Sequence, residues 1–130
     1  MSVDAKETNP TILVVYPQPG RTEALRSEMP RYEWLEAPND WPNHSADLNR
    51  APDAIVIDSE EESDDRILQT CDALRRMRPI QETPVLVAIS MYRMNLGNQV
   101  KKYPRTNILI YPIEDADLKR QLNEATGHPQ

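Results

Sequence analysis

Short, continuous apolar runs are the feature of this sequence that most constrains its fold. Each run is rich in Val, Ile or Leu and is bounded by polar residues or proline. Strands of a parallel sheet have this pattern when helices cover both faces, because neither face then meets water. The sequence therefore predicts four central strands, at residues 12–15, 54–57, 85–89 and 108–110.

A fifth strand is predicted at an edge of the sheet, at residues 31–36, where Tyr32, Trp34 and Leu35 lie among charged residues. Helical patterns separate the strands. The clearest cover residues 64–77, with Ser63 as the N-cap, and residues 114–125, which end at Gly127. Weaker helical patterns cover residues 20–29, residues 92–102, which Gly97 interrupts, and a short stretch around residues 45–49.

Strand followed by helix, five times over, predicts a doubly wound α/β domain with three layers. The 130 residues suit one domain with one continuous core. We predict that this domain covers residues 11–126. Residues 1–10 are predicted to be a disordered polar tail, and residues 127–130 a short C-terminal tail.

Composition excludes several classes of function. The net charge of −6 repels a phosphate backbone, so nucleic acid is not an expected partner. Cys71 is the single cysteine, which excludes an intramolecular disulfide and favours a cytoplasmic location. No run approaches the roughly 20 apolar residues that span a bilayer, so no membrane association is expected. No set of nucleophile, base and oxyanion donors predicts an enzyme.

Ligands of an open parallel sheet bind beyond the carboxyl ends of its strands. The residues that follow the predicted strands are therefore the candidates for a site. They form a polar group rather than a charged one, and comprise Tyr16, Pro17, Asp58, Ser90 and Tyr111.

The segment that ends at Asp58 resembles the strand carrying the phosphorylated aspartate in the receiver domains of response regulators from two-component signalling. Residues 88–90 resemble the strand that carries their hydroxyl switch residue, and Tyr111 with Pro112 stands in place of their Lys-Pro pair. The order and spacing of these segments extend the resemblance over residues 11–125. The resemblance implies a flavodoxin-like (βα)5 sandwich, a parallel sheet of order 2-1-3-4-5 and a role in phosphorelay signal transduction.

The departures from the receiver pattern concern its chemistry. In that family an acidic pair and the acceptor aspartate bind Mg²⁺ through their oxygen atoms, whereas this sequence has Tyr16 and Pro17 in place of the pair. The lysine that would offset negative charge in phosphoryl transfer is replaced by Tyr111, and the switch aromatic by Ile108. These departures imply a pseudo-receiver that is not phosphorylated on Asp58 and requires no cofactor. The hydroxyls of Tyr16, Ser90 and Tyr111 are the expected donors to Asp58.

The resulting prediction is a signalling domain that acts by binding another protein or a second copy of itself. The resemblance implies a contact surface, or a homodimer interface, on the fourth predicted helix, the fifth strand and the fifth helix. Its candidate contact residues are Tyr92, Met94, Lys101, Lys102 and Tyr103.

Two alternatives remain open at this stage. In the first, the chain is a single-domain response regulator that a histidine kinase phosphorylates on Asp58, with Glu60 helping to complete a weak Mg²⁺ site. In the second, the same crevice binds a small regulatory molecule, on which Tyr16 and Tyr111 stack.

Overall fold

The computed structural model of the chain describes residues 10–37, 52–77, 80 and 82–127. The helix expected around residues 45–49 and both predicted tails lie outside these residues, apart from residues 10 and 127. Five strands and four helices are described, with a short 3₁₀ turn at Met91–Arg93. They are β1 (Thr11–Val15), α1 (Arg21–Glu28), β2 (Glu33–Glu36), β3 (Ala54–Asp58), α2 (Asp64–Arg76), β4 (Val85–Ser90), α3 (Met94–Val100), β5 (Thr106–Tyr111) and α4 (Asp115–Thr126).

The five strands form one sheet in the order β2-β1-β3-β4-β5, and all four pairings are parallel. This is the flavodoxin-like arrangement that was predicted. β3 lies at the centre, flanked by β1 and β4, while β2 and β5 form the edges. The carboxyl ends of β1, β3, β4 and β5 therefore meet along one rim of the sheet.

Alternation of side chains along the strands builds a core on each face of the sheet. On one face, odd-numbered residues such as Ile55, Ile57 and Val87 pack against Leu74 of α2 and Leu96 of α3. On the other face, even-numbered residues of β1, β3 and β4, together with Leu109 of β5, pack against α1 and α4. The helices contribute Leu25, Leu118 and Leu122. Both faces of the central strands are thus covered, which explains their continuous apolar sequence.

The start of α2 and the end of α4 follow the expected local signals. The hydroxyl of Ser63 accepts a hydrogen bond from the Arg66 N–H at the start of α2, as its N-cap position predicts. α4 ends at Gly127, whose φ of 73° is a conformation that glycine adopts without steric cost. In the part of the chain that the structure describes, no helix is long and apolar enough to span a membrane.

Candidate functional site

Asp58 is a buried carboxylate at the centre of the strand rim. It is the last residue of β3, and its exposed fraction is 3%. The fully buried Ile55 and Ile57 hold the strand against the α2 and α3 layer, so the position of Asp58 is fixed by packing. A carboxylate buried to this degree requires hydrogen bonds or an opposite charge.

Three groups engage the two oxygens of this carboxylate. The hydroxyl of Tyr111 donates to Asp58 Oδ1, and the backbone N–H of Glu60 lies 3.3 Å from the same oxygen. On the other side, Arg21 Nε lies 3.5 Å from Oδ2. Asp58 is therefore held by a neutral phenol, an amide and a guanidinium.

The phenol of Tyr111 is a stable donor in this arrangement. Its burial, followed by the hydrogen bond to Asp58 and the charge of that carboxylate, raises the pKa of Tyr111 far above its usual range. Tyr111 consequently stays protonated and continues to donate at any physiological pH. The peptide bond between Tyr111 and Pro112 is cis.

Arg21 is a site residue that the sequence analysis missed. It is the first residue of α1, and its guanidinium carbon also lies 5.4 Å from the centroid of the Tyr111 ring. The replacement of the family's lysine by Tyr111 therefore does not leave Asp58 without a neighbouring cation. The signal was present in the sequence, because the helix that follows β1 begins at the same rim of the sheet as Asp58.

Tyr16 points away from Asp58. Its hydroxyl lies 2.8 Å from Thr70 Oγ1 and accepts a hydrogen bond of 3.1 Å from Arg66 Nε. The guanidinium of Arg66 lies 5.0 Å from the centroid of the Tyr16 ring. The predicted hydrogen bond from Tyr16 to Asp58 is therefore replaced by contacts with α2. Tyr16 packs against the core on the α2 and α3 side of the sheet and Tyr111 against the core on the other side, so the two rings do not lie side by side.

Ser90 and Pro17 lie at the rim of the sheet but form no hydrogen bond with the Asp58 carboxylate among the described residues. Ser90 ends β4 half-buried, and among the described residues it makes no hydrogen bond to Asp58. Pro17 is half-buried, and its side chain has no oxygen that could bind a cation. Of the three expected hydroxyl donors, only Tyr111 reaches Asp58.

The donor set does not fit the magnesium ion that a receiver fold implies. Among the residues that the structure describes, no group of three His, Cys, Asp or Glu side chains could hold a metal ion. Asp58 is already paired with a guanidinium, and a second cation beside Arg21 would be repelled. Glu60 supplies its backbone N–H to Asp58 and is exposed.

Two cavities adjoin the site and differ in what they could admit. A cavity of about 20 Å³ beside Asp58, Arg21 and Tyr111 has room for about one water molecule. A larger groove of about 550 Å³ lies outside Tyr111, and we call it the rim groove. Its lining residues are Glu60, Ser90, Met91, Tyr92, Arg93, Tyr111 and Pro112.

The predicted contact residues divide between two places. Tyr92 is 98% exposed and lines the rim groove, and Met94 follows at the start of α3 with 39% exposed. Lys101 and Lys102 are exposed at the other end of α3. Tyr103 instead packs against the core, where burial raises its pKa. Sequence reasoning missed Met91, which is 66% exposed, because it lies in a turn rather than in a periodic pattern.

No protein-family model matches this sequence, and no curated protein matches it. Several solved structures match the fold. A response regulator from Chloroflexus aurantiacus is 16% identical, with a TM-score of 0.73, and the match covers 92% of this chain and 99% of that one.

Two further structures match to a similar degree. The receiver domain of a sensor histidine kinase from Pseudomonas aeruginosa, with a magnesium ion coordinated in its active-site cleft, is 14% identical; its TM-score is 0.71, and the match covers 92% and 99% of the two chains. An adenylate cyclase from Rhodopirellula baltica is 15% identical, with a TM-score of 0.73 and coverage of 93% and 90%. At these identities the similarity shows a receiver-like fold and assigns no reaction or partner.

Proposed function

We propose that this chain is a receiver-like signalling domain that acts through protein contacts and is not phosphorylated on Asp58. The observation that carries this proposal is the engagement of both Asp58 oxygens, by Tyr111 on one side and by Arg21 on the other. A phosphoryl group would have to displace these partners from a carboxylate that is 3% exposed. We assign the domain no reaction and no cofactor, and a cytoplasmic setting, which suits its single cysteine.

The position of the acidic pair also supports a domain without magnesium chemistry. Phosphoryl transfer needs positive charge to stabilise the charge that spreads over the transferred group, and a receiver obtains part of it from a metal ion. Tyr16 stands at that position with its hydroxyl bonded to α2, and Pro17 follows it. Of the three carboxylates that bind the metal ion in the receiver family, this chain keeps only Asp58.

The proposed partner surface comprises α3, β5 and α4, with the adjoining rim groove. Apolar side chains stand exposed on it, including Tyr92, Met91 and Ile110, of which the last is 41% exposed. Exposed large apolar side chains are a common feature of protein contact sites. The partner is another signalling protein, and a second copy of the chain is the alternative occupant of this surface.

Beryllofluoride tests the proposal directly, because with Mg²⁺ it mimics an aspartyl phosphate. We expect that millimolar beryllofluoride and MgCl₂ leave the amide NMR signals of Asp58, Ser90 and Tyr111 unmoved. A magnesium-binding receiver domain treated in the same way is the positive control. Saturable shifts at Asp58 that require both reagents would overturn the proposal.

The variant Asp58→Asn tests whether signalling depends on Asp58. Since the proposed output depends on contacts, the folded variant should retain partner binding and signalling. Asparagine has the shape of aspartate but cannot be phosphorylated. The variant therefore removes the phosphorylation site without removing the packing of the side chain. Loss of signalling in a folded Asp58→Asn variant would contradict the proposal.

Arg21 favours one competing function, that of a receiver phosphorylated on Asp58. Its guanidinium, 3.5 Å from Asp58 Oδ2, could supply the positive charge that the family obtains from lysine. In that case a small phosphoryl donor such as acetyl phosphate would label the wild-type protein. Arg21→Gln would reduce the labelling, while Arg26→Gln on the same helix would not.

A further inference from the structure

The rim groove has the size and lining of a site for part of another molecule. Its volume of about 550 Å³ falls within the range of about 300–1,000 Å³ that is typical of ligand pockets. Met91 and Tyr92 form one wall, and Tyr111 with Pro112 forms the other. Exposed fractions of 66% for Met91 and 98% for Tyr92 leave large apolar surfaces in water, so covering them would be favourable.

Arg93 holds the first wall in place. Its guanidinium donates to the backbone oxygens of Ser59, at 2.6 Å, and Glu62, at 2.8 Å, and to Asp64 Oδ1, at 2.6 Å from Nη2. These bonds join the turn that follows β4 to the loop that follows β3. Because the wall is already ordered, a binding partner loses little free energy in shaping it.

The charge at the groove is negative. Glu60 lines it, and its carboxylate forms no ion pair with any residue that the structure describes. The neighbouring Glu61 and Asp65 are also exposed. Arg93, the cation in the lining, is already paired with Asp64, and the whole chain carries a net charge of −6.

We propose that the rim groove binds a segment of a partner protein in which an apolar or aromatic side chain stands beside a lysine or arginine. The apolar side chain would contact Met91, Tyr92 and Pro112, and the basic side chain would pair with Glu60. This proposal rests on the proposed function, since it names the chemistry of the partner that the domain contacts.

A second copy of the chain fits the groove less well than such a segment. A two-fold interface brings the same surface of both copies together. A dimer centred on the rim groove would place one Glu60 near the other, with Glu61 and Asp65 close by. Like charges brought together in this way destabilise an interface.

Two probe peptides test the proposal on the full chain. The first is a short amphipathic peptide of leucine, tryptophan and lysine, and the second has glutamate in place of every lysine. We expect the first to shift the amide NMR signals of residues 90–93 and 111, and to bind at least about tenfold more tightly than the second. Its affinity should also fall as salt concentration rises, because salt screens the pairing with Glu60.

Variants locate the binding within the groove. Tyr92→Ala should weaken binding of the lysine peptide about tenfold, and Glu60→Gln about fivefold, a size typical of a partly exposed charge pair. Glu23→Gln, an exposed acidic position on α1, is the matched control and should leave the affinity unchanged. Because Tyr92 and Glu60 are exposed, these variants should fold, which unchanged NMR spectra elsewhere in the chain would establish.

Equal affinity for both peptides, or shifts that map outside the groove, would overturn the proposal. A dimer that Tyr92→Ala dissociates in sedimentation measurements would assign the groove to a second copy and would also overturn it. Labelling of Asp58 by acetyl phosphate is measured separately. Labelling with intact peptide binding would refute the proposed function alone, whereas absent labelling with absent peptide binding would refute this inference alone.

Discussion

At the scale of single residues, Asp58 shows how groups of the chain itself offset the burial of a carboxylate. An isolated charge in this position would be costly, because the surroundings cannot solvate it as water does. Tyr111 and the Glu60 N–H offset part of that cost by donating hydrogen bonds, and Arg21 by its charge. Each donor comes from a different part of the chain, so the arrangement forms only when the sheet does.

The hydroxyl of Tyr111 should contribute measurably to stability. We expect Tyr111→Phe to lower the free energy of unfolding by about 1–3 kcal/mol, because it removes the one side-chain hydroxyl that donates to this buried oxygen and leaves only the longer bond from the Glu60 N–H. Urea unfolding at neutral pH measures the effect. Tyr92→Phe removes a hydroxyl from a side chain that is 98% exposed and should have almost no effect. Equal effects of the two substitutions would show that the bond to Asp58 contributes nothing.

Cys71 predicts a dependence of stability on alkaline pH. Burial raises the pKa of its thiol from 9.0 to about 11. As pH rises, the unfolded chain therefore loses this proton first, so the stability from the neutral thiol is complete below pH 9 and is lost towards pH 11.

The variant Cys71→Ala isolates this contribution. Between about pH 7.5 and about pH 10.5, the wild-type protein should lose about 2 kcal/mol more stability than the variant, since all other titrating groups are shared. Urea unfolding at both pH values measures the difference. Parallel pH dependences of the two proteins would refute the assignment to Cys71.

At the scale of elements, α3 shows why a glycine need not end a helix. The sequence analysis treated Gly97 as an interruption, yet α3 continues through it from Met94 to Val100. Gly97 is buried against the sheet, and a Cβ atom there would lie 2.7 Å from Ile89 Cδ1. The glycine thus permits close approach between helix and sheet, which its place in the sequence alone did not reveal.

A pair of substitutions tests this close approach. Gly97→Ala should lower the free energy of unfolding by about 1 kcal/mol, because crowding against the fully buried Ile89 outweighs the gain in helix propensity. In an Ile89→Val background, which lacks the Cδ1 atom, the same change should be neutral or stabilising. A double-mutant cycle by urea unfolding gives the coupling, and purely additive effects would contradict the predicted contact.

At the scale of the whole molecule, the sheet separates two helical layers that share every central strand. In β1, β3 and β4, odd-numbered residues serve the layer of α2 and α3 and even-numbered residues serve the layer of α1 and α4. In β5 the parity is reversed, with Ile108 on the first side and Leu109 on the second. Loss of either layer would expose one face of all the central strands. The two layers should therefore unfold together.

Leu74 of α2 and Leu122 of α4, both fully buried, test this cooperativity from opposite faces. Each substitution by alanine should cost about 2–5 kcal/mol, and the two costs should add to within about 0.5 kcal/mol. In a Trp41→Phe background, Trp34 fluorescence reports the α1 and α4 layer, and far-ultraviolet circular dichroism reports all helices. The two signals should change together in every variant. A Leu74→Ala protein whose circular dichroism changes before its Trp34 fluorescence would show independent layers.

The sequence pattern predicted the parallel sheet and the placement of Asp58, although β5 is longer than the predicted residues 108–110. These features depend on local periodicity, and on the rule that parallel strands present their carboxyl ends at one rim. The resemblance to receiver domains supplied the strand order, which the structure shows. The strands and helices could be predicted from the sequence because each depends on residues that are close together in the chain.

Which side chains meet at the rim was decided only by the tertiary structure. Tyr16 directly follows β1 and Tyr111 ends β5, and both carry a phenol, yet one bonds to α2 and the other to Asp58. Arg21 reaches Asp58 and Arg93 joins two loops, although 37 and at least 29 positions separate the partners. The sequence determined where each side chain starts, whereas the direction it takes depends on rotamers and on neighbours brought close only by folding.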